Sequence, residues 1–145
     1  MTSGNFYSRL SAPVGQSVLF AGLLVCLTMG CTRAVDGPER FDVSGTVKFN
    51  GEPVPVGTVR FVPDASKGNS GPAGFAQIKD GKYDTAKDGR GTVGGPHEIT
   101  VIGFDGQVEP DSELTQGRSL FSEYRILADL SSEKSTQDIE VPSAR

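Results

Sequence analysis

Enzymes that move protons most often use histidine, and this chain contains a single one, His97. A Ser-His-Asp or Cys-His arrangement would have to use it. Its neighbours are largely apolar (H-E-I-T-V), however, and no G-x-S-x-G sequence supplies an activated serine. We interpret His97 as a half-buried core or edge residue that packs where an aromatic side chain would. The sequence therefore predicts no catalytic residue and a protein that is not an enzyme.

Two groups of acidic residues have the chemistry to bind a metal ion. Asp80, Asp84 and Asp88 recur every four residues, whereas calcium loops place oxygen ligands at alternate residues, as in D-x-D-x-D-G. Asp80 and Asp88 each precede a glycine, so we interpret them as turn residues. The second group is interpreted as a charge cluster on a solvated loop: Glu109, Asp111 and Glu113. No metal site is predicted.

Four glycines precede His97 at a density that could suggest a phosphate-binding loop: Gly89, Gly91, Gly94 and Gly95. A phosphate loop is followed by a lysine-serine or lysine-threonine pair and a helix, and neither follows here. We interpret the glycines as bends between strands. No cofactor is predicted.

Composition and charge limit the class of protein. A chain of 145 residues allows one domain of ordinary size with appendages. Gly (19) and Pro (9) together make 28 of those residues, a share well above the roughly 12% that is typical, which indicates many turns and short strands. The net charge of −4 is a poor match for nucleic-acid phosphates. Nucleic-acid binding is therefore excluded.

The first thirty residues have the pattern of an export signal. They contain one basic residue, Arg9, and no acidic residue, and Val18–Met29 is an uncharged apolar run. A basic start, an apolar centre of about 7–15 residues and a small-residue exit are typical of a secretory signal peptide. We assign residues 1–30 to it. An uncleaved anchor is the alternative, although a transmembrane helix needs roughly 20 apolar residues.

Both cysteines, Cys26 and Cys31, lie in or just after this apolar run, so the rest of the chain has neither a disulfide nor a thiolate metal site. The stretch L-T-M-G-C, ending at Cys31, resembles a bacterial lipobox, in which the cysteine is acylated and becomes the new N-terminus. We predict lipidation of Cys31 and a polar tether over residues 31–40. The alternative is ordinary cleavage after Ala34. Acyl chains anchor a protein by about 0.8 kcal/mol per buried CH₂, so membrane lipid is the first predicted partner.

The body of the chain reads as strands. In Phe41–Phe49 apolar residues alternate with polar ones, and Asn50-Gly51 then forms a tight turn. A second strand covers Thr58–Val62. Further strands are predicted at Gly74–Lys79, Lys82–Thr85, His97–Phe104, Ile126–Leu130 and Thr136–Val141. These short strands, without an amphipathic helix, predict an all-β domain over residues 41–142: a seven-stranded antiparallel β-sandwich, transthyretin-like or Ig-like.

Three segments, V-S-G-T-V-x-F-N-G-E-P-V-P-x-G-T-V-x-F-V-P, D-G-K-Y and G-x-G-T-V-G-G-P-H-E-I-T-V, carry a family resemblance. Together they resemble the carboxypeptidase regulatory-like, transthyretin-like sandwich family, and within it the short exported versions typical of planctomycete-type bacteria. The similarity spans Phe41 to Phe104, with weaker agreement to Val141; the family usually has tyrosine at the position of His97. The resemblance implies a prealbumin-like sandwich and no catalytic residues, because these modules accompany enzymes.

These observations favour a non-enzymatic module, exported and lipid-anchored at the cell membrane or the outer membrane, in the periplasm or on the cell surface. Its role would be structural, adhesive or protein-binding, with an envelope protein or glycan as the further partner. Its contact surfaces would be the outward strand faces and two loops, Ala65–Pro72 and Asp105–Gly117. The alternative is a small-ligand or carbohydrate-binding accessory domain, and a hydrolase is the least favoured function.

Overall fold

The computed structural model describes residues 37–108 and 113–143, which belong to one compact unit, Gly37–Arg145. The proposed signal peptide, Cys31, Ala34, Glu109 and Asp111 lie outside the described residues. The described part is predominantly strand, as predicted. Its strands are β1 (Val43–Phe49), β2 (Glu52–Pro53), β3 (Val56–Pro63), β4 (Gly74–Lys79), β5 (Lys82–Asp84), β6 (Gly89–Arg90), β7 (Gly95–Phe104), β8 (Tyr124–Leu130), β9 (Ser135–Thr136) and β10 (Ile139–Val141).

Seven of these strands form a curled sheet in the order β10-β1-β5-β4-β3-β7-β8. The short strands β2 and β9 pair with β1, and β6 pairs with β4. Neighbouring strands are antiparallel except that β1 runs parallel to both β9 and β10. The prediction of an antiparallel sheet is therefore right for most of the pairs, and it is wrong for the pairs that β1 forms with β9 and β10. After β8 the chain crosses to the opposite edge of the sheet, and there it runs in the direction of β1.

The opening of the sheet follows the sequence pattern closely. Asn50 and Gly51 both have positive φ, 53° and 82°, which is the backbone of the tight hairpin turn predicted there. The short strand β2 follows at once and pairs antiparallel with the end of β1, with Pro53 opposite Lys48. Proline is tolerated at this point because β2 is a short strand that pairs with no described strand other than β1.

The core lies on the inner face of the curled sheet, and alternation places its members there: Val43, Val47, Val54, Val59, Phe61, Ala76, Ile78, Tyr83, Ile99, Val101, Leu130, Ile139 and Val141. The rings of Phe61 and Tyr83 meet in a tilted arrangement with centroids 5.9 Å apart. The Tyr83 hydroxyl donates to the carbonyl of Gln137 at 2.6 Å. A buried tyrosine hydroxyl is thus paired, as it must be to avoid a desolvation cost.

The break between β9 and β10 packs against a glycine. The Gln137 carbonyl comes so close to Gly45 on β1 that a Cβ on Gly45 would overlap it. The backbone N–H of Gln137 donates to the carbonyl of Ser44 at 2.8 Å, and the Asp138 carboxylate accepts from the backbone N–H of Thr46. The segment from β9 to β10 therefore stays hydrogen-bonded to β1 through the break between the two strands.

Two short helical turns connect strands where loops or strand ends were predicted. One is a 3₁₀ turn, Ala65–Lys67, and the other is an α-helical turn, α1, Thr85–Asp88. Strand β5 ends at Asp84, one residue before the predicted end, because the Asp84 carboxylate accepts from the backbone N–H of Ala86 and caps α1. No helix within the described residues has the length and apolar character needed to cross a membrane.

Candidate functional site

The single histidine lies in the core rather than in a cleft. His97 is on β7 and has no exposed surface, so the prediction of a half-buried residue is wrong in degree. Alternation puts it on the inner face with Ile99 and Val101, as predicted. Its Nδ1 is 2.8 Å from the carbonyl of Gly95, and because a carbonyl accepts, Nδ1 carries the proton. Its Nε2 has no hydrogen-bond partner within the described part of the chain. With no access from solvent, His97 has no route to a substrate.

Of the three aspartates in the first acidic group, Asp80 lies apart from the other two. Asp80 lies in the β4–β5 turn with φ 50°. Asp84 and Asp88 line a polar groove of about 470 Å³ between β1, β4, β5 and α1. There Lys79 pairs with Asp88 at 3.0 Å and Lys87 pairs with Asp84 at 3.3 Å.

In the polar groove the Asp84 and Asp88 carboxylates are therefore each paired with a lysine, and the Asp138 carboxylate accepts hydrogen bonds from Thr46. The backbone N–H of Ala86 is the main cause that lowers the pKa of Asp84, and Lys87 adds to it. Over residues 37–108 and 113–143, no group of three or more histidine, cysteine or acidic side chains is placed to hold a metal ion. Glu113 of the predicted charge cluster is exposed on its loop.

The four glycines serve packing and turns. A Cβ on Gly89 would overlap the backbone of Phe75, and one on Gly91 would meet the carbonyl of Phe41 at 2.7 Å. Gly94 and Gly95 have φ values of 73° and 76°, which favour glycine. Close approach of neighbouring strands and a bend before β7 therefore account for the glycines, in agreement with their interpretation as bends.

In both loops predicted as contact surfaces, a described side chain forms hydrogen bonds with the backbone. In Ala65–Pro72 the amide of Asn69 donates to the carbonyls of Gly94 and Pro96, at 2.9 and 2.7 Å. In the other loop Asp105 accepts from the backbone N–H groups of Gln107 and Arg118, both at 2.9 Å. The hydrogen bond from Gln107 is the main cause that lowers the pKa of Asp105.

The outer face is the exposed surface of β6, β4, β3, β7 and β8. Directly opposite residues of neighbouring strands share a face, and the register aligns one row across all five strands: Arg90, Phe75, Arg60, Thr100 and Arg125. We call it the arginine row. Its middle lines a groove of about 370 Å³, which Ile102 and Glu98 also line.

The arginines of this row differ in their partners. Arg125 bonds to Glu123, and its Nη1 lies 3.7 Å from Glu98, so the pKa of Arg125 is raised. Arg60 and Arg90 are exposed and form no ion pair or side-chain hydrogen bond with any residue the structure describes. Two unneutralised guanidinium groups thus flank Phe75, one on each side.

Large apolar side chains are exposed beside the row. Leu127 is 61% exposed, Phe75 41% and Ile102 38%. Arginine and aromatic residues are the types that carry most binding energy at protein interfaces. The outer face is therefore suited to bind an acidic surface that has apolar side chains of its own.

Sequence reasoning named the outward strand faces but not this row. The outward orientation of Arg60 follows from alternation alone. Its position between Phe75 and Thr100 depends on the pairing of β3 with β4 and β7, which no local pattern contains.

Comparisons of the chain with protein-family models, with curated proteins and with solved structures gave no match.

Proposed function

We propose that the protein is a non-enzymatic module, exported and lipid-anchored through Cys31, whose outer face binds an acidic partner protein of the cell envelope. The observation that carries the proposal is the arginine row. In a chain of net charge −4, two exposed guanidinium groups that form no ion pair within the described residues flank an exposed phenylalanine. Guanidinium groups bind carboxylates bidentately and stack on planar groups. The row would therefore favour a partner that presents carboxylates beside planar side chains.

The curled sheet suits this role as a scaffold. We propose that the domain is a sandwich of the transthyretin-like kind, as the resemblance of the sequence implies. Its strands would position the arginine row, and the tether over residues 31–40 would hold the domain near the membrane. The hydrogen bonds and ion pairs of the loop and groove side chains also support the outer face as the binding surface. They are engaged within the fold, whereas Arg60 and Arg90 are not.

A small-ligand or carbohydrate-binding role would use the polar groove. The groove has the volume for a small ligand, but Asp84, Asp88 and Asp138 are each bonded to a group of the fold. A ligand would have to compete with those bonds. Binding at Arg60 and Arg90 needs no such competition, and for that reason the protein-binding role is preferred.

The test is capture from the native envelope with the tagged protein and a charge-reversed variant. Arg60→Glu should lose most of the captured partner, because it opposes an acidic surface at the centre of the row. Lys82→Glu makes the same charge change in the polar groove and should retain the partner. Equal capture by both variants would contradict the outer face as the binding surface.

The anchor is tested separately in a fractionated cell. Cys31→Ser should move the protein from the membrane fraction to the soluble fraction, because the acyl chains supply the membrane affinity. Cys26→Ser, five residues earlier, is the matched control and should leave the protein in the membrane fraction. Retention of the Cys31→Ser protein in the membrane would show that lipidation at this residue is not the anchor.

A further inference from the structure

Among the strands that the structure describes, β8 pairs only with β7 and forms one edge of the sheet. It extends over seven residues, Tyr124–Leu130, and contains neither proline nor glycine. The opposite edge, β10, has three residues. A long edge strand without a proline or a bulge is a template for another strand, because its outward N–H and C=O groups are unpaired.

The backbone groups of β8 that face the free edge are identified by hydrogen bonds at the two ends of β7. At one end, the carbonyl of Pro96 accepts from the N–H of Asp64, just beyond β3, at 2.9 Å. At the other end, the carbonyl of Gly103 accepts from the N–H of Leu120, on the β8 side, at 3.0 Å. Even-numbered residues of β7 therefore bond toward β3, and odd-numbered residues bond toward β8.

The register transfers this alternation to β8. Ile99 lies opposite Ile126, and His97 lies opposite Ala128, so those two β8 residues bond to β7. The residues between them direct both backbone groups outward: Arg125, Leu127 and Asp129. No described residue bonds to their backbone N–H or C=O groups.

We propose that β8 binds β8 of a second copy of this chain, antiparallel, with the two-fold axis at Leu127. This register places Leu127 opposite its own counterpart and Arg125 opposite Asp129 of the second copy. Because all three residues have outward backbone groups, each of these pairs can exchange two N–H···O bonds. The sheet then continues from one copy into the other.

Charge complementarity selects both the occupant and the register. Asp129 forms no ion pair within the described part of the chain. The two-fold axis would place the Arg125 guanidinium of the second copy opposite Asp129, on the same face of the sheet. A shift of two residues would instead place Asp129 or Arg125 opposite Leu127. An opposite-charge pair directly across two strands is favourable, whereas like charges there are unfavourable.

The inner side of the pairing is apolar. Ile126 would lie opposite Ala128 of the second copy, and Tyr124 opposite Leu130 of the second copy. Tyr124, Ile126 and Ala128 pack on the core but remain partly exposed at the edge, so the second strand would cover them. The self-pairing does not depend on what the outer face binds.

The first experiment measures self-association of the full chain in mild detergent by sedimentation velocity. Arg125→Asp and Asp129→Arg each place like charges opposite one another and should each weaken dimerisation about tenfold or more. An equimolar mixture of the two variants places Asp opposite Arg at both positions and should restore dimers. Association that is unchanged in the single variants, as contact through the N-terminal apolar run would give, overturns the proposal. So does a mixture that remains monomeric.

The second experiment fixes the position of the axis by oxidation. In a Cys26→Ser, Cys31→Ser background, Leu127→Cys faces its own counterpart at a Cα separation of about 5.5 Å, which a disulfide can span. Phe75→Cys, also exposed on the outer face, is the control. The proposal is supported if the Leu127→Cys protein cross-links rapidly and the Phe75→Cys protein does not. Equal rates for the two proteins, or no cross-linking of either, overturn it.

Discussion

The inner and outer faces of the sheet differ in how far their side chains are exposed to solvent and in whether their polar groups have partners within the fold. On β3, Val59 and Phe61 are fully buried in the core, while Arg60 between them is exposed and unpaired within the described residues. The Tyr83 hydroxyl at the core is bonded to backbone. The inner face therefore carries the folding free energy, and the outer face is free to carry binding. The predictions below test this division.

The largest effect is expected on the inner face of β1. Val47→Asp would bury a carboxylate among apolar side chains, where the sheet offers it no cation. An unpaired buried charge costs several kcal/mol, so we expect the domain to be unfolded at 25 °C by circular dichroism. Lys48→Asp changes the exposed neighbour and should melt within a few degrees of the native protein. A native melting curve for Val47→Asp would contradict the register of β1.

A smaller effect is expected where β1 touches the break between β9 and β10. Gly45→Ala would push a methyl group into the Gln137 carbonyl and force β9 and β10 away from β1. Overpacking of this kind costs about 1–3 kcal/mol. Chemical denaturation should show the loss as a lower midpoint with an unchanged slope.

The matched control for Gly45→Ala is Gly68→Ala. No atom of the described chain lies near the Cβ position of Gly68, although its φ of 77° adds backbone strain. The two glycines thus separate steric contact from conformational strain. Equal losses for both variants would mean that contact with Gln137 is not what Gly45 provides.

Acid should weaken the fold through carboxylates that accept backbone hydrogen bonds. The pKa values of Asp105 and Asp138 are lowered, in the first case chiefly by the N–H of Gln107 and in the second chiefly by the Thr46 hydroxyl. A pKa that is lower in the folded state gives stability that is present above the unfolded value of about 3.9 and is lost as pH falls through the folded value.

The corresponding measurement is the free energy of unfolding between pH 7 and pH 2. We expect a plateau above about pH 5 and a decline below about pH 4. Asp105→Asn should make the decline shallower, because the amide does not titrate. Asp80→Asn, in a turn whose positive φ suits asparagine, makes the same chemical change away from the Asp105 hydrogen bonds and is the control. A decline that is identical in all three proteins would exclude Asp105 as a contributor.

The sequence predicted those features that depend on neighbouring residues. Alternation placed Val43 and Val47 on the buried side of β1, and Asn50-Gly51 identified the turn. The parallel pairing of β1 with β10 and the alignment of the arginine row were not predicted, because each depends on strands far apart in the chain. The complete burial of His97 was missed for the same reason. Strands β3 and β8 cover β7 on both sides, and a single strand pattern does not specify its neighbours.

The smallest effect on stability is expected at Arg60, and it is the one that most directly tests the division between the faces. Arg60→Ala removes a guanidinium that no described residue pairs with, so the free energy of unfolding should change by less than about 0.5 kcal/mol. Arg125→Ala removes a group bonded to Glu123 and close to Glu98, yet it too should change the free energy of unfolding only slightly, because exposed ion pairs contribute little. Both are measured by chemical denaturation at concentrations where the chain is monomeric. If Arg60→Ala instead destabilised the domain as strongly as Gly45→Ala, Arg60 would be part of the fold, and its unpaired state would no longer argue for a partner.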